Sequence, residues 1–135
     1  MKILFLTLVS IEDIRERNIY ADLMRKFRNE GHEVFIVSPV ERRFNQKTNL
    51  KTSEGVHILR IKTLNIQKTN SIEKGISTLL MEYLFRKGIK KYFPSVKFDW
   101  ILYSTPPITF TSIIQYIKHR DGARSYLLLK DIFPQ

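Results

Sequence analysis

The sequence predicts an α/β fold, a doubly wound parallel sheet with helices on both faces, and three observations predict it. Short apolar runs of strand length alternate with stretches of helical periodicity along the 135 residues. The runs at 3–6 and 34–37 are apolar without interruption, as strands covered on both faces are. Helix-sized segments separate most of the runs, which is what parallel crossovers require.

The elements follow in order. Lys2 to Leu8 is a first strand. It could be mistaken for a signal peptide, but acidic Glu12 and Asp13 follow it and no small-residue cleavage site does. Arg15 to Glu30 reads as a helix in which Ile19, Leu23 and Phe27 recur every four residues, with Gly31 as its stop. Arg25, Arg28 and Asn29 then face water. Glu33 to Ser38 is a second strand, closed by Pro39. Val40 to Gly55 is polar and aperiodic and reads as a loop. Val56 to Ile61 is a third strand, and Thr63 to Asn70 a polar connector. Ile72, Ile76, Leu79, Leu80, Tyr83 and Leu84 mark a long helix, disturbed at Gly88. Asp99 to Ser104 is a fourth strand. Phe110, Ile113, Ile114 and Ile117 give an amphipathic stripe, and Ser125 to Lys130 a fifth strand. Right-handed crossovers leave few topologies, and the strand order 3-2-1-4-5 leads among them. The expectation is a three-layer, Rossmann-like domain over 1–135, cut just past its fifth strand with no helix to cover that strand.

Composition narrows the function. The apolar fraction of 43% supports a core rather than disorder. The absence of cysteine excludes disulfides and thiolate metal sites. No segment has the run of ~20 apolar residues that a membrane span needs. The net charge of +10 fits nucleic acid, an anionic membrane surface or a phosphorylated substrate, and it equally fits half of a larger protein whose charge is balanced elsewhere. Arg42, Arg43, Lys47 and Lys51 form one basic cluster; Arg86, Lys87, Lys90 and Lys91 form another beside Tyr92 and Phe93. The second suits an anionic membrane, but Lys87 and Lys90 fall on the helix's own apolar stripe, so a solvated helix end is the other reading. No recognised nucleic-acid motif accompanies the charge, and no spacing of His, Asp and Glu suggests a metal.

Ligands of such sheets bind beyond the carboxyl ends of the strands, where the strand order reverses. Two loops flank that point. One is Leu8 to Arg17, with Ser10, Glu12 and Arg15 as candidate contacts; the other begins Ser104-Thr105-Pro106-Pro107. Thr105 is suited to cap the next helix with Pro106 at its first position, which aims backbone N–H groups into the crevice. A plain helix start explains the same pair. The first loop contains no glycine, against a dinucleotide fingerprint, and no Gly-Lys-Ser/Thr loop grips phosphate. Asp131 ends the fifth strand and reads either as a carboxylate beside an acceptor hydroxyl or as a turn residue bonding local backbone.

Several segments together resemble the N-terminal domain of family 4 glycosyltransferases of the GT-B fold, of the kind that transfer deoxyhexosamines in capsule, O-antigen or colanic acid synthesis. They are Met1 to Thr7, Ile19 to Leu23, Glu30 to Val34 with Val37-Ser38-Pro39, Tyr103 to Pro107 and Leu127 to Gln135. The resemblance spans essentially the whole chain. It implies an acceptor-binding half of a retaining enzyme, inactive alone, whose partner domain holds a sugar-nucleotide donor without metal or other cofactor. The implied acceptor is a lipid-diphosphate-linked sugar, with the protein cytoplasmic and in peripheral contact with the anionic inner face of the plasma membrane. Asp131 matches the Asp of the family's Asp-aromatic-Pro segment, which makes it the implied catalytic residue. The first loop lacks the glycine pair many members carry there, so a diphosphate contact from Val9 to Arg17 is not implied. A different class of reading stands beside this one: a non-enzymatic doubly wound domain that docks a partner or an anionic surface.

Overall fold

The computed structural model describes residues 1–7, 15, 19–41, 47–63, 71–104 and 111–128. Their order is β1 (Lys2–Leu6), α1 (Ile19–Asn29), β2 (Glu33–Glu41), β3 (Asn49–Ser53), β4 (Val56–Thr63), α2 (Ser71–Tyr92), β5 (Trp100–Ser104), α3 (Thr111–Asp121) and β6 (Arg124–Leu128). The fold is α/β, built on one mostly parallel sheet in the order β3-β4-β2-β1-β5-β6.

This corrects the expected five-strand order. The sheet has six strands, and β3 is an antiparallel edge strand paired only with β4. It lies in the stretch 40–55 that reads as a loop. Four of its five residues are exposed and Leu50 is its one apolar side chain, so no apolar run betrays it. A two-residue turn joins β3 to β4, with Glu54 at φ 47° and Gly55 at φ 84°. Positive φ at both positions is the hairpin turn whose twist matches that of the strands.

Pro39 does not close β2 either. It lies within the strand, level with Ile61 of β4. Val37 turns its carbonyl toward β1, where it accepts the Thr7 amide at 3.1 Å. Two residues on, Pro39 offers the same edge to a side where β1 has ended, so its missing N–H breaks no ladder bond.

Strand alternation sends successive residues to opposite faces. On one face Leu4, Leu6, Phe35, Val37, Leu59 and Ile61 pack against Met81, Phe85 and Ile89 of α2 and Ile113, Ile114 and Ile117 of α3. On the other, Ile3, Phe5, Val34, Ile36 and Ile58 pack against Tyr20 and Met24 of α1. Of the expected stripe of α1, Leu23 and Phe27 are half-buried against this core but Ile19 is exposed; the fully buried line is Tyr20, Ala21 and Met24, and the Phe5 and Tyr20 rings meet at 5.3 Å. The stripe of α2 also differs, since Tyr83 is exposed and Met81, Phe85 and Ile89 are buried. α2 runs unbroken through Gly88. A Cβ there would stand 2.7 Å from Ile61 Cδ1, so the glycine is where the helix comes closest to β4 rather than where it breaks. Lys87 and Lys90 are exposed, off the apolar stripe on which the sequence places them.

Candidate functional site

Five polar or charged residues are buried among those described: Thr7, Ser38, Ser53, Arg60 and Ser104. Four of the five lie in one row. Ser38 is level with Arg60 in the β2–β4 ladder. Leu6 is level with Val37 on one side and Tyr103 on the other, so Thr7, the next residue, is level with Ser38 and with Ser104. The row therefore runs Arg60, Ser38, Thr7, Ser104 across four adjacent strands. At the usual spacing of parallel strands it spans roughly 14 Å.

Parity sets the face. Ile3 and Phe5, Val34 and Ile36, Ile58 and Leu102 all belong to the core beneath α1. Two residues further along each strand come Thr7, Ser38, Arg60 and Ser104, on that same face. Along each strand the apolar side chains of this face give way at this level to a hydroxyl or a guanidinium, and in β2 buried Val40 follows two residues beyond Ser38.

Burial makes this costly. Thr7 and Ser38 have no exposed surface, Ser104 keeps 5% and Arg60 keeps 7%. A buried hydroxyl costs roughly 1–3 kcal/mol when unbonded, and a buried charge several times that unless compensated. The Ser104 hydroxyl donates to Thr7 Oγ1 at 3.4 Å, a long bond that ties β5 to β1 where the strand order reverses. Thr7, Ser38 and Arg60 each have further partners within the protein. The single donor of Ser104 is spent on Thr7 and the other three members have partners of their own, so the row is bonded into the fold.

The predicted site residues fall unevenly against this geometry. Ser104 lies in the row. Arg15 is exposed. Ser10, Glu12, Thr105 and Asp131 lie outside the described residues, as do Arg42 and Arg43 of the first basic cluster. The reading of the sequence singles out neither Thr7, Ser38 nor Arg60, although each is the polar residue that interrupts an apolar strand. His32 and His57 sit at the opposite end of the strands, where His57 pairs with Glu33 at 3.3 Å and stacks on Phe35 at 4.7 Å. An apolar groove of about 180 Å³, lined by Met1, Ile3, Phe27, His32, Trp100 and Leu102, also opens at that end and offers little polar chemistry.

Among the described residues no group of three or more His, Asp or Glu side chains is placed to hold a metal ion. Among them too, no helix is long and apolar enough to cross a membrane. Comparison with protein-family models, with curated proteins and with solved structures finds no match to the chain.

Proposed function

We propose that the chain is the acceptor-side, Rossmann-like domain of a retaining sugar-nucleotide-dependent glycosyltransferase of surface-polysaccharide synthesis. The observation that carries this reading is the buried polar row Arg60–Ser38–Thr7–Ser104, whose Thr7 and Ser104 stand at the carboxyl ends of β1 and β5, where the sheet order reverses. That is where doubly wound sheets bind their ligands. Hydroxyl and guanidinium groups are the partners that sugar hydroxyls and phosphoryl oxygens need. The resemblance of Tyr103 to Pro107 and Leu127 to Gln135 to family 4 glycosyltransferases adds the reaction class.

In this reading a second domain holds the sugar nucleotide, and this one presents a lipid-diphosphate-linked sugar at the cytoplasmic membrane face. Asp131 takes or orients the acceptor hydroxyl proton. Ser10, Glu12, Arg15 and Thr105 line the acceptor path beside Ser104. The basic end of α2, where Lys87, Lys90 and Lys91 are exposed, faces the anionic surface.

The test is nucleotide release. The full-length protein, given a panel of sugar nucleotides and a membrane lipid extract, releases nucleotide from one of them only when lipid is present. Asp131→Asn lowers that release by on the order of 10²-fold or more while the thermal transition stays in place. A full-length protein that neither binds nor turns over any sugar nucleotide rules the reading out. A transfer rate unchanged by Asp131→Asn reduces that residue to a turn former.

A further inference from the structure

We infer that the outer edge of β6 is a docking site for an extended, acidic segment of another polypeptide, which adds to the sheet as a further strand. The inference goes beyond the glycosyltransferase reading and does not rest on it.

Three observations carry it. The first is the direction of the backbone. Among the described residues β6 ends the sheet, and β5 is its one neighbour. The Arg124 amide donates to the Asp99 carbonyl oxygen at 3.1 Å. Backbone groups of successive strand residues turn to opposite sides, so Tyr126 also faces β5, while Ser125 and Leu127 turn their N–H and C=O groups outward. Those groups form a row of donors and acceptors to which an extended strand is complementary. The second is the contrast between the two edges of the sheet. β3, at the other edge, exposes Asn49, Lys51 and Thr52, and a lysine on an edge discourages pairing. β6 instead exposes Tyr126 at 41% and Leu127 at 38%, on opposite faces of the sheet. Tyr126 is stacked on Trp100 with ring centroids 4.4 Å apart. That holds its ring beside the position an apolar side chain of an added strand occupies.

The third is charge, and it selects the occupant. Arg124 is exposed and belongs to no ion pair among the described residues. β6 carries no carboxylate, and the end of α3 before it holds Lys118, His119 and Arg120. Of the nearby carboxylates, Asp121 is bonded to Arg120 and Asp99 accepts the Lys2 amide. A second copy of the chain brings a net charge of +10 against +10 and no carboxylate on its own β6. The edge therefore suits a strand of opposite charge.

Hydrogen exchange of the chain's backbone amides tests this, with the blocked peptide Glu-Val-Thr-Val-Thr-Val-Glu as probe. Both its ends are acidic, so Arg124 meets a carboxylate in either strand direction. In the free chain the Tyr126 amide is protected, and the Ser125 and Leu127 amides exchange fast. Saturating peptide slows Ser125 and Leu127 by about tenfold or more. The same peptide with lysine in place of glutamate binds about fivefold or more weakly, and Arg124→Gln weakens the acidic peptide by about threefold. Leu127→Pro removes an outward N–H without touching the ladder to β5, and weakens the peptide by about tenfold or more. If that variant unfolds, Leu127→Lys puts on this edge the charge that β3 already carries and weakens the peptide likewise. Ser125 and Leu127 amides already protected in the free chain overturn the inference, because the edge is then filled. Protection that grows with chain concentration alone makes the occupant a second copy and also overturns it. So does equal binding of the lysine peptide, or binding indifferent to both Leu127→Pro and Leu127→Lys. Any of these failures leaves the glycosyltransferase reading untouched, since nucleotide release is measured separately.

Discussion

The two ends of the sheet use polar groups in opposite ways. At the amino end, polar side chains bond to loops and helix ends of the same chain. Arg120, at the end of α3, donates from Nε to Asp121 Oδ1 at 2.7 Å and from Nη2 to Asp121 Oδ2 at 2.8 Å. Its guanidinium also reaches the carbonyl oxygens of Phe93 and Val96 and lies over the Phe98 and Tyr116 rings. Asp121 in turn accepts the Phe98 amide at 3.0 Å. The pair clasps the 93–99 connection onto α3. Asp99 accepts the Lys2 amide at 2.8 Å, and Arg28 of α1 donates to the Glu54 carbonyl oxygen of the hairpin turn at 2.9 Å. At the carboxyl end, by contrast, the polar groups line one level of the sheet itself. One end is held by bonds to loops and helix ends, the other by a buried polar row within the sheet.

The contrast predicts that a substitution in the amino-end clasp costs more stability than one at a carboxyl-end hydroxyl. The largest expected effect is at the clasp. Only 5% of the Asp121 side chain is exposed, so Asp121→Ala takes the carboxylate from the Arg120 guanidinium, which keeps only the Phe93 and Val96 carbonyls, and leaves the Phe98 amide without its acceptor. A loss of about 3 kcal/mol follows, seen as a clearly lower urea midpoint.

The same clasp has a pH signature. Burial opposes the charge on Asp121, but the hydrogen bonds from Arg120 and the Phe98 amide, with the charges of Arg120 and Lys97, outweigh it and hold the carboxyl below its ordinary value. The folded value lies below the unfolded one, so the stabilisation is fully present above the unfolded value near 3.8 and is lost as pH falls through the folded value. The difference in urea midpoint between the native chain and Asp121→Ala therefore narrows as pH drops from about 5 to about 2. A difference that stays constant over this range contradicts the role given to the carboxylate.

Smaller effects sharpen the comparison from the other side. Ser104→Ala removes a hydroxyl whose bond to Thr7 is long at 3.4 Å. Its stability changes by less than about 1 kcal/mol in urea unfolding. The smallest effect is a gain. Glu54 holds a φ of 47° that glutamate rarely adopts, so Glu54→Asn stabilises the hairpin by about 0.5 kcal/mol in thermal unfolding. Its weak 3.9 Å contact with Arg28 is exposed and offsets little of this.

Much of the fold is legible in the sequence because apolar runs and helical spacing are local. All five parallel strands and all three helices announce themselves that way. What escapes is set by neighbours. β3 is polar because it is an edge, Pro39 stays in β2 because β1 ends beside it, and Gly88 is a contact because Ile61 lies opposite. The site is partly legible for the same reason. Thr7, Ser38, Arg60 and Ser104 each follow an apolar run in the sequence, yet only the strand register puts them at one level. Of the residues chosen from the loops, Arg15 and Ser104 lie among those described, and Ser104 belongs both to a strand and to the row.

The most direct measurement is nucleotide release by the full-length protein, given a panel of sugar nucleotides with and without a membrane lipid extract. The account predicts release from one of them only when lipid is present. A full-length protein that neither binds nor turns over any sugar nucleotide contradicts it.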